Sequence, residues 1–169
     1  FVVSSDYPHS DGAFPDALRE VDAPLEKNTL RSGERLVEVR ADGKPSITRF
    51  RVLSRFPDTT LVEARPLTGR THQIRVHAAH AGHPLVGDVK YGDIERDRAL
   101  KRYGHVRLFL HAVRIQLPSV SDGLGQPGKP GPHKAGRSTK KELRIEAPLP
   151  DDLTRLLSML EGSDDDDAG

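Results

Sequence analysis

The chain has 169 residues, which suits one domain or a large part of one, and 35% hydrophobic with 30% charged residues allow a modest core under a polar surface. It contains no cysteine, which excludes disulfides and thiolate chemistry, and no apolar run approaches the roughly 20 residues of a membrane-spanning helix. Five of the 25 acidic residues lie in 161–169, so residues 1–160 carry an excess of six positive charges. This excess favours a polyanionic partner.

The first half of the chain predicts an irregular stretch, three strands and a helix. Residues 4–33 are rich in Asp, Pro, Ser and Gly, which is typical of a loop. Strands are predicted over 35–40, 47–56 and 60–67, the last two as an antiparallel hairpin in which Phe50 and Val52 share one face. A helix over 71–81 should end at Gly82, with Pro84 beyond it.

The second half predicts a short helix over 95–102, a buried strand over 107–117 and a strand over 141–147 that returns to the sheet. Residues 118–140 hold many Gly, Pro, Ser and Lys, which is typical of a flexible insertion. Pro150-Asp151-Asp152 starts a last helix that runs through Leu160, and an acidic disordered tail is predicted over 161–169. This order predicts an α+β fold around a mostly antiparallel sheet.

One segment, at the junction between a predicted strand and the following helix, is rich in polar and charged side chains. It reads Thr68-Gly69-Arg70-Thr71-His72-Gln73-Ile74-Arg75-Val76-His77. At 100° per residue, Arg70, Gln73, His77 and His80 form a polar stripe, and Ile74, Ala78 and Ala81 should face the core. The helix N-terminus can attract phosphate.

Arg75 falls on another side of this helix, among small side chains, and none of its neighbours at three or four residues is acidic. A guanidinium keeps its charge, so in such surroundings it needs a carboxylate, which must come from elsewhere in the fold. The alternative is that Arg75 reaches solvent or pairs with a structural Glu.

The segment resembles the third motif of the RluA-type RNA pseudouridine synthases. The resemblance continues through Gly82-His83-Pro84-Leu85-Val86-Gly87-Asp88, Tyr91-Gly92 and Leu110-His111-Ala112, with a further likeness at Lys44-Pro45-Ser46-Ile47-Thr48 and at Ala147-Pro148-Leu149-Pro150. It spans about residues 24–160, and its central run is long enough to be specific. Residues 1–160 are accordingly expected to be the C-terminal part of a pseudouridine synthase catalytic domain.

The resemblance implies isomerisation of uridine to pseudouridine in structured RNA, ribosomal or transfer RNA, without cofactor or metal, by a cytoplasmic monomer. In the family an aspartate of an Arg-Leu-Asp motif acts on a nucleotide flipped out of the helix, and an arginine at the position of Arg75 pairs with it. No Arg-Leu-Asp occurs in these 169 residues, so that aspartate is expected to lie outside the chain, which begins as if within a strand. The residues expected to contact RNA or substrate are Arg70, Thr71, His72, Gln73 and His77.

Two other functions remain open from the sequence. A metal-dependent hydrolase could draw on the histidines and Asp88, although no spacing of the His-Glu-x-x-His kind is present. A non-catalytic RNA-binding remnant of the same fold would keep the scaffold and lack the nucleophile. Asp88 itself is predicted to cap or turn the chain after Gly87, and His111 to be a core histidine.

Overall fold

A computed structural model describes residues 2–5, 19–29, 35–104, 107–117 and 143–162 of the chain. They belong to two compact units, one within 1–111 and 149–169 and the other within 112–148. The first unit holds antiparallel sheets and helices, which confirms the predicted α+β class. None of the helices among the described residues is long and apolar enough to cross a membrane.

The predicted hairpin is the centre of the main sheet. It consists of β5 (Ile47–Arg55) and β6 (Thr59–Pro66), flanked by β1 (Val2–Ser5) beside β6 and by β2 (Arg19–Asp22) beside β5, all antiparallel. Side chains of β5 alternate as expected, since Thr48 and Phe50 are buried and Arg49 and Arg51 are exposed. A register shift between Val52 and Ser54 interrupts the pairing with β6.

The loop predicted over residues 4–33 is wrong where the structure describes it. Besides β2, it contains β3 (Leu25–Thr29), which pairs with β4 (Arg35–Val39) in a separate two-stranded sheet. Backbone hydrogen bonds between Leu25 and Lys44 join β3 to the segment before β5. The polar composition of this segment does not favour extended backbone. Strand pairing and the burial of Val21, Ala23 and Leu25 stabilise it there.

The helix predicted over 71–81 is α1 (Gln73–His80), and its end follows the predicted signal. Gly82 has a φ of 86°, its N–H donates to the Ala79 carbonyl, and the N–H of His83 donates to the Ala78 carbonyl. These two bonds form a Schellman motif, which turns the chain back along the helix. Ala78 is fully buried against Phe50, Val62 and Leu85, and Ile74 and Ala81 pack at the edge of this cluster, as predicted.

The short helix predicted over 95–102 is α2 (Ile94–Leu100), followed by a 3₁₀ turn over Lys101–Tyr103. The last helix, α3 (Asp151–Gly162), extends two residues beyond the prediction and buries Leu153, Leu156 and Leu160. These leucines pack with Phe56, Val86, Leu100 and Phe109 in a second core cluster.

The strand predictions over 107–117 and 141–147 are wrong in extent and in pairing. Residues 107–113 form no strand, although Phe109 is fully buried. Only β7 (Arg114–Leu117) and β8 (Leu143–Glu146) are strands, and they pair with each other in the second unit, with exposed side chains. An apolar run reports burial but does not distinguish a strand from an irregular buried segment. The insertion predicted over 118–140 and the acids at 164–167 lie outside the described residues.

Two glycines with positive φ provide a test of this packing. A Cβ on Gly87 (φ 72°) would lie 2.2 Å from the Arg107 carbonyl oxygen, whereas one on Gly82 (φ 86°) would meet nothing within 4 Å. Gly82→Ala should therefore cost only the left-handed backbone strain, about 1 kcal/mol of unfolding free energy. Gly87→Ala should cost about 1–3 kcal/mol more, because residues 107–108 must move. Urea unfolding of both variants measures these changes. Equal losses of unfolding free energy in the two variants would contradict the close approach of Gly87 to Arg107.

Candidate active site

The start of α1 is fixed to β5 by the side chain of Gln73, which is almost completely buried. Its Oε1 accepts hydrogen bonds from the Arg70 N–H (3.0 Å) and the Thr68 hydroxyl (2.8 Å). Its Nε2 donates to the Ile47 carbonyl (2.9 Å) and to Thr48 Oγ1 (3.0 Å). Every amide position of Gln73 is therefore used within the fold.

His77 continues this network one turn later and has no solvent exposure. Its Nε2 lies 2.9 Å from the Ala23 carbonyl, which can only accept, so Nε2 carries a proton. Its Nδ1 lies 2.9 Å from Thr48 Oγ1, whose hydroxyl can donate to it. Burial lowers the pKa of His77, so the neutral ring is the stable form.

Two members of the polar stripe predicted on α1, Gln73 and His77, consequently turn their polar atoms toward the sheet. Gln73 and His77 were expected to contact RNA, but their polar atoms are occupied by β5 and by the segment before β3. Helical phase shows which residues share a face, but it does not show what that face meets. His80, at the end of the stripe, is exposed.

Arg75 forms the ion pair that its position on α1 required, and the partner is Asp88. Its Nε donates to Asp88 Oδ2 (2.8 Å) and its Nη2 to Asp88 Oδ1 (2.6 Å). The Asp88 side chain has no solvent exposure, and that of Arg75 has 16%. A two-point contact of this kind fixes the plane of the guanidinium.

Asp88 also performs the turn role that the sequence predicts for it. Its Oδ1 accepts the N–H groups of Lys90 (3.0 Å) and Tyr91 (3.1 Å). Burial raises the pKa of Asp88, but the hydrogen bonds from Arg75 and from these two N–H groups outweigh it and hold the pKa below the ordinary value. The hydrogen bond with Asp88 likewise raises the pKa of Arg75, so both groups stay charged.

The expectation that the partner of Arg75 lies outside the chain needs correction for the contact seen here. Asp88 stands thirteen residues after Arg75, so it is not among the residues three or four positions away that were considered on the helix. The turn at Gly82 sends the chain back along α1, and this return brings Asp88 to the guanidinium. In the described structure, no hydrogen bond or ion pair engages Nη1, the remaining nitrogen of Arg75.

Tyr91 links Arg75 to His72. The Arg75 guanidinium carbon lies 4.8 Å from the centre of the Tyr91 ring, a cation–π distance. The Tyr91 hydroxyl lies 2.9 Å from His72 Nδ1 and accepts the backbone N–H of Val37 at 3.1 Å. Burial, then the charges of Arg75 and Lys90, lower the pKa of His72. His72 has a φ of 53°, the one positive φ outside glycine among the described residues.

His72, Gln73 and Arg75 border a cleft of about 370 Å³. Its walls are mainly apolar, from Pro66, Ile74, Leu108 and Leu110, and its polar side chains are Thr68, Arg70, His72, Gln73 and Arg75. A second groove of about 270 Å³ shares Gly69 and Arg70 with it and adds Lys27, Lys44 and Thr71. Of the expected contact residues, Arg70, Thr71, His72 and Gln73 therefore border open space, although the amide of Gln73 is already hydrogen-bonded within the fold.

Sequence reasoning gave no site role to Tyr91, Leu108 or Leu110. Tyr91 and Leu110 stand in motifs that carry the family resemblance, and this was the available signal. The metal-site alternative gains no support, since no three His, Cys, Asp or Glu side chains in the described ranges are grouped to hold an ion.

The chain is similar in sequence to known RNA pseudouridine synthases. Residues 9–80 match the family described as RNA pseudouridylate synthase. The chain is 44% identical over 149 residues to ribosomal large subunit pseudouridine synthase C of Yersinia pestis, covering 88% of the chain and 41% of that protein. It is 45% identical over 151 residues to the protein of the same name from Escherichia coli strain K12, covering 88% of the chain and 42% of that protein. The chain thus spans about two fifths of the length of these relatives.

Solved structures agree at the level of the fold. Human RNA pseudouridylate synthase domain containing 1 superposes with a TM-score of 0.62 at 22% identity, over 88% of this chain and 53% of that one. Human RNA pseudouridylate synthase domain containing 4 gives the same score and identity over 95% of this chain and 60% of that one.

We expect Asp88→Asn to lower the free energy of unfolding by about 3 kcal/mol at neutral pH, because it leaves the Arg75 charge without its buried partner. The lowered pKa of Asp88 means that the ion pair contributes fully above the ordinary value of 3.8 and is lost as the pH falls through the lowered value. The difference in the free energy of unfolding between wild type and Asp88→Asn should therefore stay constant down to about pH 4 and become smaller below it.

Urea unfolding across this pH range provides the measurement. Asp42→Asn is the matched control, because Asp42 pairs with Arg40 on the surface and should contribute little. If Asp88→Asn lowers the free energy of unfolding no more than Asp42→Asn does, the structural importance of the buried pair is contradicted.

Proposed function

Because the chain belongs to the RluA-type RNA pseudouridine synthases, we propose that it forms the C-terminal part of a catalytic domain that isomerises uridine to pseudouridine in ribosomal RNA. The observation that carries the proposal is Arg75, oriented by Asp88 at the edge of an apolar cleft with one guanidinium nitrogen unused in the described structure. The ribosomal substrate rests on the printed names of the relatives.

The cleft suits a nucleotide that has left its helix. Its volume of about 370 Å³ lies in the range of small-ligand sites, and its apolar walls can contact a uracil ring. The second groove holds Lys27, Lys44 and Arg70, which can contact the phosphates on either side of the flipped nucleotide. Phosphate contacts of this kind fix the position of the RNA without reading its sequence.

The chemistry needs a nucleophile that the described cleft does not offer. During isomerisation the bond between N1 and C1′ breaks, C5 bonds to C1′, the C5 hydrogen leaves and N1 gains a proton. Substrate and product have the same atoms, so no oxidant or reductant is required. Asp88 is committed to Arg75 and to two N–H groups, which makes it a poor nucleophile.

We therefore assign the nucleophile to an aspartate outside these 169 residues, which contain no Arg-Leu-Asp. Arg75 would bind its carboxylate through Nη1 while Asp88 keeps the guanidinium plane fixed. A positive charge beside the carboxylate keeps it ionised, which is the reactive form. The protein is further proposed to act as a monomer in the cytoplasm, where ribosomal RNA would be its substrate.

Release of tritium from ribosomal RNA labelled at C5 of uridine tests this function, because that hydrogen must leave during the reaction. The protein tested is a joined form, in which the chain is fused to the portion of the Escherichia coli relative that lies outside the match. The joined form without substitutions should release tritium. Arg75→Ala should lower the rate at least about 100-fold, and Arg75→Lys nearly as much, because lysine cannot make the two-point contact.

Arg51→Lys is the control, since Arg51 pairs with Glu63 on the exposed face of the sheet and should leave the rate unchanged. Near-normal turnover by Arg75→Ala would overturn the role of this residue. No release by any form, together with tight RNA binding, would instead favour a non-catalytic RNA-binding protein.

A further inference from the structure

We propose that Tyr91 holds His72 as a neutral imidazole whose Nε2–H donates a hydrogen bond to an acceptor oxygen of the flipped nucleotide. This inference rests on the proposed function, because it assumes that the nucleotide occupies the cleft lined by His72 and Arg75. His72 would then be a substrate-contacting residue, and Tyr91 a positioning residue that acts through it.

The hydrogen bonds around Tyr91 determine which nitrogen of His72 carries the proton. The Tyr91 hydroxyl accepts the Val37 N–H and has one proton of its own to donate. The neighbour within reach is His72 Nδ1 at 2.9 Å. If Tyr91 donates to Nδ1, all three groups are satisfied, and the neutral ring must carry its proton on Nε2. The opposite tautomer would leave the tyrosine proton without this acceptor.

Nε2 is the part of His72 that remains for a ligand. Among the described residues no hydrogen bond engages Nε2, and the ring is only partly exposed at the wall of the cleft. Burial, then the charges of Arg75, Lys90 and Lys27, lower the pKa of His72, and the charge of Asp88 opposes them only in part. A neutral donor results, which adds no second positive charge beside Arg75.

The backbone at His72 indicates that this placement has a cost. His72 precedes α1 in a left-handed conformation with φ of 53°, and its side chain makes no capping hydrogen bond to the helix. Strained non-glycine residues occur preferentially at functional sites, where the surrounding contacts hold them. Here the contact is Tyr91, which also packs its ring against Arg75, so one side chain orients two residues of the cleft.

Histidine ¹⁵N NMR of the 169-residue chain tests the tautomer without any substrate. At pH 7.5 the signals of His72 should report a protonated Nε2 and an unprotonated Nδ1, and Tyr91→Phe should shift the ring toward a mixture of tautomers. Tyr91→Phe keeps the aromatic ring beside Arg75, so it removes the hydroxyl alone. A ring protonated mainly on Nδ1 in the wild-type chain would overturn the inference, whatever the enzymatic result.

Two substitutions then separate a donor role from a backbone role in the joined form used for tritium release. Asparagine tolerates the left-handed conformation well but does not reach the position of Nε2, whereas glutamine places an amide N–H near it and tolerates the backbone less well. A donor role predicts that His72→Asn folds normally and loses about 10-fold or more in kcat/KM, and that His72→Gln retains most of the activity.

The reverse order, an active His72→Asn and an impaired His72→Gln, would show that the residue serves only the backbone and would overturn the donor role. Absence of tritium release from the wild-type joined form would overturn the proposed function and the substrate contact with it. The NMR result would still decide separately whether Tyr91 sets the tautomer.

Discussion

The ion pair between Arg75 and Asp88 is the interaction on which the arrangement of the cleft depends. It joins the first turn of α1 to the segment that follows the turn at Gly82, and both charges are largely shielded from water. Because Asp88 also accepts the N–H of Tyr91, the same carboxylate sets the position of the tyrosine ring. The tyrosine in turn contacts Arg75 and His72, so one buried acid orients the polar edge of the cleft.

The two polar faces of α1 have different tasks. Gln73 and His77 attach the helix to β5 through a chain of hydrogen bonds in which each donor meets an acceptor. His72 and Arg75 lie beside the cleft and keep nitrogens that the described contacts leave unused. A network that is fully satisfied gives rigidity, which lets the second pair of residues hold a fixed geometry for a substrate.

The sequence allowed prediction of the features that depend on local pattern. Period-two alternation identified β5, and the short link after it identified β6 as its hairpin partner. The glycine and proline after α1 marked the end of that helix. These signals all arise from neighbouring residues. The need of Arg75 for a carboxylate also followed from local phase. Its identity did not, since the contact with Asp88 depends on the path of the turn between them. Similarly, β2 and β3 form because distant segments pair with them, which composition cannot report.

The central claim is that this chain provides the arginine and the cleft while the nucleophile comes from an aspartate outside it. The most direct measurement is tritium release from C5-labelled ribosomal RNA by the 169-residue chain alone, compared with the joined form carrying Asp→Asn in the Arg-Leu-Asp motif of the added portion. We expect no release from either sample, beside full release from the unsubstituted joined form. Release by the chain alone would contradict the claim and would make Asp88 the first acid to test as the nucleophile.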